Sequence, residues 1–437
     1  MSKPLRRVTE RFLLPALCCL LFGGTAGAEE WNFERLALES AKSHPSVEAR
    51  RMGEVGAAAD VESAKWQRFP VPAVQASQDT KGSNGLVFSL QQPLWTGGRI
   101  SSGIDAANAR QLASKEATRS SQQDVLSKVI DNYVESGLKQ RQLVILDKSI
   151  SQHENLFGMI TRRVERQFSP QADLELASSR LRAAQNDKSF AAQALQIALA
   201  QLSELSGGEV TSVASSQDTI HRNLPESRDA AVKQALAHSP YLAYLGRSQT
   251  AAQADVESKR SAYWPALSAR VEKIAGSNPD TRGLMLVESQ FGAGLSASSN
   301  VDSAQASLRA LTFQQASAAR ELRSQVQQQW STYVEARKRH DNTAETSRSA
   351  WSVYESYVRL YTISQKSWLD VLNQLREAIT ADLNEESASA EVSKSALQLL
   401  LLTGKLPDGK FDTGKTEIAS TSPVTASPAA TTAAAAR

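Results

Sequence analysis

The sequence is poor in residues that break helices and in residues that carry chemistry. No proline falls between Arg99 and Gln167, and none between Asp280 and Leu406. At 1.5 Å per residue, an unbroken helix over the first gap would be about 100 Å long, wider than the core of any compact domain. Cysteine occurs only as Cys18 and Cys19. The five histidines, His44, His153, His221, His238 and His340, are scattered, and none stands at metal-ligand spacing from another. There is no nucleophile elbow and no phosphate loop. An enzyme is therefore not expected, and no cofactor is implied.

Long apolar runs are also missing, so no transmembrane helix is expected. The apolar stretch from Phe12 to Phe22 is too short to span a bilayer. It follows Lys3, Arg6, Arg7 and Arg11 and precedes Ala26-Gly27-Ala28, which reads as a secretory signal over residues 1–28. Leu17 precedes Cys18, and Cys18 precedes Cys19, so neither follows a small residue as a lipoprotein acceptor would. The mature chain is expected to have no thiol, disulfide or lipid anchor. The leader holds four basic residues and one acid, so its removal takes the net charge of +3 to zero. No nucleic-acid partner is implied. Residues 407–437, mostly Thr, Ser, Ala and Pro beyond Thr413, cannot bury a core and are expected to be a disordered tail.

What the chain does have is a repeat. Ala59-Asp-Val-Glu-Ser63 recurs 195 residues on as Ala254-Asp-Val-Glu-Ser258, with Pro45 matching Pro240 and Phe69-Pro70 matching Trp264-Pro265. Tyr133-Val-Glu135 recurs 200 residues on as Tyr333-Val-Glu335. The two halves must share one architecture: a short helix, a break at His44-Pro45 or Ser239-Pro240, a helix, two strands, a very long helix and a returning helix. The repeats are expected at 29–206 and 227–406, joined by a linker at 207–226 around Gly207-Gly208. The long helix carries only a narrow apolar stripe, Leu146, Ile150, Phe157, Ile160, Val164 and Phe168, as in a wall of helices wetted on more than one side. The returning helix and the helix after His44-Pro45, stacked end to end, could flank it.

The strands are expected near 73–78, 86–91, 267–273 and 284–291. Leu86, Phe88 and Leu90 oppose Val87, Ser89 and Gln91, while Leu267, Ala269 and Val271 oppose Ser268, Arg270 and Glu272. With Phe69, Trp95 and Trp264 at the strand ends, this suits a membrane barrel with a wet lumen; a half-buried soluble sheet alternates in the same way. Four strands cannot close a barrel, so a membrane barrel needs several chains.

Ser89-Leu-Gln-Gln-Pro-Leu-Trp-Thr-Gly-Gly-Arg99 resembles the strand–turn–helix junction of the TolC-like outer-membrane efflux proteins. Pro93, Gly97, Gly98 and Arg99 mark that junction; the second repeat has Gly292-Ala-Gly-Leu295 in its place. The resemblance implies a mainly α fold with a β-barrel part: a homotrimer forming a twelve-stranded outer-membrane barrel continuous with a periplasmic α-helical tube. It further implies a passive exit duct in outer-membrane lipid, docked to a periplasmic adaptor and an inner-membrane ABC or proton-driven pump. Such ducts serve type I protein secretion or multidrug efflux. The length of the long helix suits a tube reaching across the periplasm. The other reading is a soluble periplasmic coiled-coil adaptor or scaffold, which would share the leader and the hairpins.

The resemblance extends to Tyr361-Thr-Ile-Ser-Gln-Lys-Ser-Trp-Leu-Asp-Val-Leu-Asn373. In the family's namesake this segment holds the periplasmic entrance shut through a tyrosine, a basic residue and two acids one turn apart. The resemblance assigns those places to Tyr361, Lys366 and Asp370, with Asn373 at the second acid, and it matches Asp173 to the acid that receives the tyrosine and the base. Gln167 and Ser364 occupy the places of the family's tip glycines. Read from the residues alone, Ser367-Trp-Leu-Asp370 is also a capping box, and Asp173 an acid in a first helical turn.

Overall fold

The computed structural model describes residues 31–78, 84–214, 223–275, 279–289 and 296–406. The expected leader, the 407–437 tail, residues 292–295 and the middle of the 207–226 linker lie outside them. The elements run α1 (Phe33–Ser43), α2 (Pro45–Trp66), β1 (Val71–Gln78), β2 (Asn84–Trp95), α3 (Arg99–Glu165) and α4 (Gln171–Ser206). A second series follows: α5 (Arg228–His238), α6 (Pro240–Arg260), β3 (Ala266–Ala275), β4 (Asp280–Glu288), α7 (Ala297–Thr362) and α8 (Trp368–Thr403). Local chemistry sets the matching boundaries. Asn32 caps α1 and Ser227 caps α5 by accepting a backbone N–H. His44 and Ser239 cap α2 and α6, each of which opens on a proline, whose missing N–H is harmless in a first turn.

The long helices are built on a seven-residue rhythm. In α7 the buried positions Val326, Tyr333, Ser347, Tyr354 and Tyr361 are seven or fourteen apart. In α4 Ala177, Ala184, Ala191 and Ala198 are buried at steps of seven. In α3 the lower stripe is Leu146, Ser149, His153, Leu156 and Ile160. This rhythm winds antiparallel hairpins α3–α4 and α7–α8 as coiled coils, and alanine on the seam brings the backbones close. Phe168, expected on the stripe, is instead 71% exposed, because it lies past the end of α3.

The helices stand in four columns. α3 packs against α2, α4, α6 and α8, and α7 packs against α6 and α8. The end of α4 meets the α1–α2 break, where Ser43 Oγ donates to the Ser206 carbonyl and His44 Nε2 stands 3.9 Å from Glu204. Two cores hold the wall together. One gathers Leu36, Val129, Ile130 and Leu202 with Val326, Leu399 and Leu400 around α1 and α5. The other, near the hairpin tips, gathers Leu156, Ile160, Tyr354, Trp368 and Leu375. Trp31 bridges to the linker, and Tyr133 Oη donates to the Ala214 carbonyl beneath it.

The strands form one antiparallel sheet in the order β1-β2-β3-β4. β4 starts and ends earlier than its apolar run suggested. The reason is register: Arg282 lies opposite Glu272, and both Nε and Nη2 of Arg282 donate to its carboxylate. β2 runs past Gln91 to Trp95, with an irregularity between Pro93 and Trp95. Among the described residues, no helix is long and apolar enough to cross a membrane.

One glycine is required by the fold. Gly404 ends α8 at φ +71°, and a β-carbon there would land on the His238 ring. Gly404→Ala would force a side chain into left-handed backbone, at about 1–3 kcal/mol, and displace His238 as well. The expected outcome is a clear fall in melting temperature, checked by circular dichroism.

Candidate functional site

The sheet has two chemically distinct faces. On one, Val74, Phe88, Leu90, Val271, Met285 and Val287 are all exposed, and the register brings them into one patch. On the other, Ser268 and Glu272 are buried in a polar network. Gln91 Nε2 donates to Ser268 Oγ, Arg270 donates to Gln91 Oε1, and both Arg270 and Arg282 donate to Glu272. Such a division is inverted for water, which would leave the apolar face dry and the polar face wet, and it fits a strand with lipid on one side. Exposed aromatics (Trp66, Phe69, Trp95, Tyr263 and Trp264) gather where the strands meet the helices, the level of an interfacial girdle. A ten-residue strand such as β3 extends about 34 Å, enough to cross the apolar band when tilted.

The junction residues turn the chain from sheet to helix. Pro93 lies within β2 at its irregularity, where a missing N–H is tolerated. Gly97 and Gly98 have φ +60° and +92°. A β-carbon on Gly97 would stand 2.9 Å from Trp264 Cβ and 3.1 Å from the Ser261 carbonyl, so the turn is pressed against the segment between α6 and β3. Arg99 N donates to the Thr96 carbonyl and opens α3.

The hairpin tips share one construction. Gln167 (φ 62°) and Ser364 (φ 61°) take the left-handed position. Phe168 N donates to the Arg163 carbonyl and Gln365 N to the Leu360 carbonyl, the long bond of a Schellman ending. Tyr361 is buried and shares a hydrogen bond with Ser169 of the first hairpin; the Arg163 guanidinium lies 5.0 Å over its ring and Asp173 nearby. Burial pushes its phenol pKa up, and the Asp173 charge adds to that. Lys366 does not join this cluster. Its ammonium lies 4.6 Å over the Tyr357 ring of its own hairpin, with Asp370 beside it. Asp370 closes a reciprocal capping box with Ser367, both bonds 3.1 Å. Asn373 follows one turn later, half-buried. The structure thus brings Tyr361 of the second hairpin near Asp173 of the first, while Lys366, Asp370 and Asn373 all lie on the second hairpin.

Sequence reasoning missed the anchor above the tips. Ser347 Oγ and Trp351 Nε1 both donate to Asp382 Oδ1, at 2.6 and 2.7 Å. Lys148 of α3 approaches Asp382 Oδ2 at 3.7 Å and covers the Trp351 ring at 3.6 Å. Higher up, Arg141 binds Glu386, and Lys394 and Gln398 bind Asp131. These bonds stitch α8 to α3. The seven-residue step from Trp368 to Leu375 to Asp382 would have marked the anchor as a seam position.

Asp382→Ala strands two donors and should cost about 1.5–3 kcal/mol, a charged hydrogen-bond pair. Asp382→Asn keeps an acceptor and should cost less; thermal melting separates the two. The Ser367 bonds, first, and then the Lys366 charge hold the Asp370 carboxyl below its usual range. Its folded pKa is depressed, so the cap's contribution is present above the unfolded value and is lost as pH falls through the folded one. Amide exchange at 368–371 should therefore speed up, relative to mid-α8, as pH falls below about 4.

Residues 37–208 match the family model described as outer membrane efflux protein. A search of curated proteins returns no match. Among solved structures, the outer-membrane channel OprN superposes with a TM-score of 0.77 at 17% identity, over 85% of this chain and 90% of its own. The Campylobacter jejuni outer membrane channel CmeC gives 0.75 at 14% identity, over 85% of each chain. The Vibrio cholerae outer membrane protein VceC gives 0.73 at 12%, over 85% of this chain and 96% of its own. The first repeat thus resembles the outer membrane efflux proteins in sequence, and both repeats share the fold of these outer-membrane channels.

Proposed function

We propose that three copies of this chain form one passive export duct, a twelve-stranded barrel in the outer membrane continued by a helical tube into the periplasm. The observation that carries this is the sheet. Its outer face is apolar and exposed, and β1 and β4, at its two ends, each have a partner on one side only. In lipid each unsatisfied backbone group costs several kcal/mol, so β4 of one copy must pair with β1 of the next. A soluble adaptor or scaffold would leave the apolar face without a purpose. Cargo reaches the duct from an inner-membrane pump, ABC or proton-driven, through a periplasmic adaptor, as in type I protein secretion or multidrug efflux.

The entrance is the set of hairpin tips. Tyr361 ties the second hairpin to Ser169 of the first, with Asp173 nearby, and Lys366, over the Tyr357 ring at the exposed tip, would exchange that contact for an acid of a neighbouring copy. Asp370 supplies one carboxylate per chain to a ring, and Asn373 leaves out a second. Capping and ring formation are compatible roles for Asp370, because each of its two oxygens can accept.

The purified protein should be a trimer that needs detergent, and it should conduct little in planar bilayers at rest. Tyr361→Phe with Lys366→Ala should raise the resting conductance. Asp370→Ala should lower cation preference, and Asn373→Asp should raise it. A detergent-free monomer sinks the duct. Unchanged conductance together with unchanged reversal potentials reduces the tip residues to helix ends.

A further inference from the structure

The internal repeat makes the junction between the two halves of one chain a template for the junction between chains. Inside the chain, α3 of the first repeat meets α6 of the second. Around a closed ring, α7 of one copy would meet α2 of the next in the same way. This step rests on the trimeric reading above. The 195- and 200-residue offsets translate one junction into the other. The structure supports both offsets: Gly53 faces Ser114 in the first repeat, and Gln249 bonds Gln315 in the second, the same pairing displaced by one position.

At the internal junction the small partner is on α3 and the large one on α6. Buried Ala113 and half-buried Tyr244 border the same crevice. Their counterparts are Phe313 on α7 and Ala49 on α2, so the sizes are exchanged. Phe313 is 73% exposed in the single chain, a large apolar cost for a soluble surface. The α2 face around Ala49 carries Met52 and Val55, 56% and 52% exposed. Beside them an added β-carbon on Gly56 would meet nothing within 4 Å, whereas Gly53 faces Ser114 of the chain's own α3. The α2 face is therefore apolar and notched where the α7 face is apolar and protruding.

Charge follows the same translation. Arg110 binds Asp255 at the internal junction. Asp60, the counterpart of Asp255, is exposed, and so is Arg309, one residue before the counterpart of Arg110.

We propose that Phe313 of one copy seats against Ala49 and Gly56 on α2 of a second copy, the aromatic and the small residue having changed sides relative to the Ala113–Tyr244 junction. Phe313 thereby specifies which α2 the α7 helix accepts. A copy offered its own kind of junction, α7 against α6 of another chain, would set Phe313 against Tyr244 and clash.

Both cysteines of the sequence lie at 18 and 19, so residues 31–437 contribute no competing thiol. Ala49→Cys with Phe313→Cys should, on mild oxidation in membranes, give covalent dimers and trimers under denaturing electrophoresis, and neither single variant should. Phe313→Ala should lower the detergent-resistant trimer fraction several-fold, and Ala49→Tyr added to it should restore that fraction by rebuilding the internal pairing. If light scattering still finds a trimer but the cysteine pair does not cross-link, or Phe313→Ala leaves the trimer fraction unchanged, the notch is wrong and the duct reading stands. If the unmodified protein is a monomer in detergent, both are overturned.

Discussion

A backbone group facing hydrocarbon has no water to turn to, and that one constraint organises this chain. Four strands with an apolar outer face leave β1 and β4 with open sides, and no rearrangement within the chain can pair both. The two-fold repeat fits the constraint, since each half brings two strands and each junction closes one more gap. The helices inherit this arrangement. Each strand pair leads into a long helix, so the helix columns are spaced by the strands above them, and in the proposed ring the wall below would close at the same perimeter.

Alanine is what allows the wall to follow. A barrel of coiled coils needs its helices close and nearly parallel, and the seven-residue rows of Ala177, Ala184, Ala191 and Ala198 set that distance on one hairpin. Larger residues occupy the opposite seam, where Tyr354, Tyr361 and Trp368 fill the lower core. Few of these contacts are individually strong. They gain by repetition along about 50 Å of hairpin.

Much of this was legible because it rests on periodicity and on proline. The helix starts at Pro45 and Pro240 and the long proline-free spans follow from single residues with fixed geometry. The alternation of Leu86 to Gln91 located β2, but not its end: Pro93 reads as a break, and only the irregularity beside it lets the strand continue to Trp95. β4 was misplaced because its register depends on Arg282 meeting Glu272, a contact between strands that no single strand reveals. The tips were legible as positions but not as conformations. Gln167 and Ser364 adopt φ values that side chains usually avoid, and nothing local in their sequences announces it. The Asp382 anchor stayed hidden because an acid among Ala, Leu and Ser reads as a solvated face until Ser347, Trp351 and Lys148 are brought around it from two other helices.

That anchor gives the hairpin a mechanical proportion. From Asp382 to Asp370 is twelve residues of continuous helix, an arm of about 18 Å. Because the turn at Ser364 is made by a residue with a side chain rather than by glycine, it has less freedom to absorb a bend. A swing of ten degrees about the anchor would therefore carry Asp370 about 3 Å sideways, close to the width of a water molecule. In the proposed ring of three such arms, each small rotation would count three times toward the opening. In the proposed duct the lower hairpin would be the blade of an iris, its length set by one carboxylate.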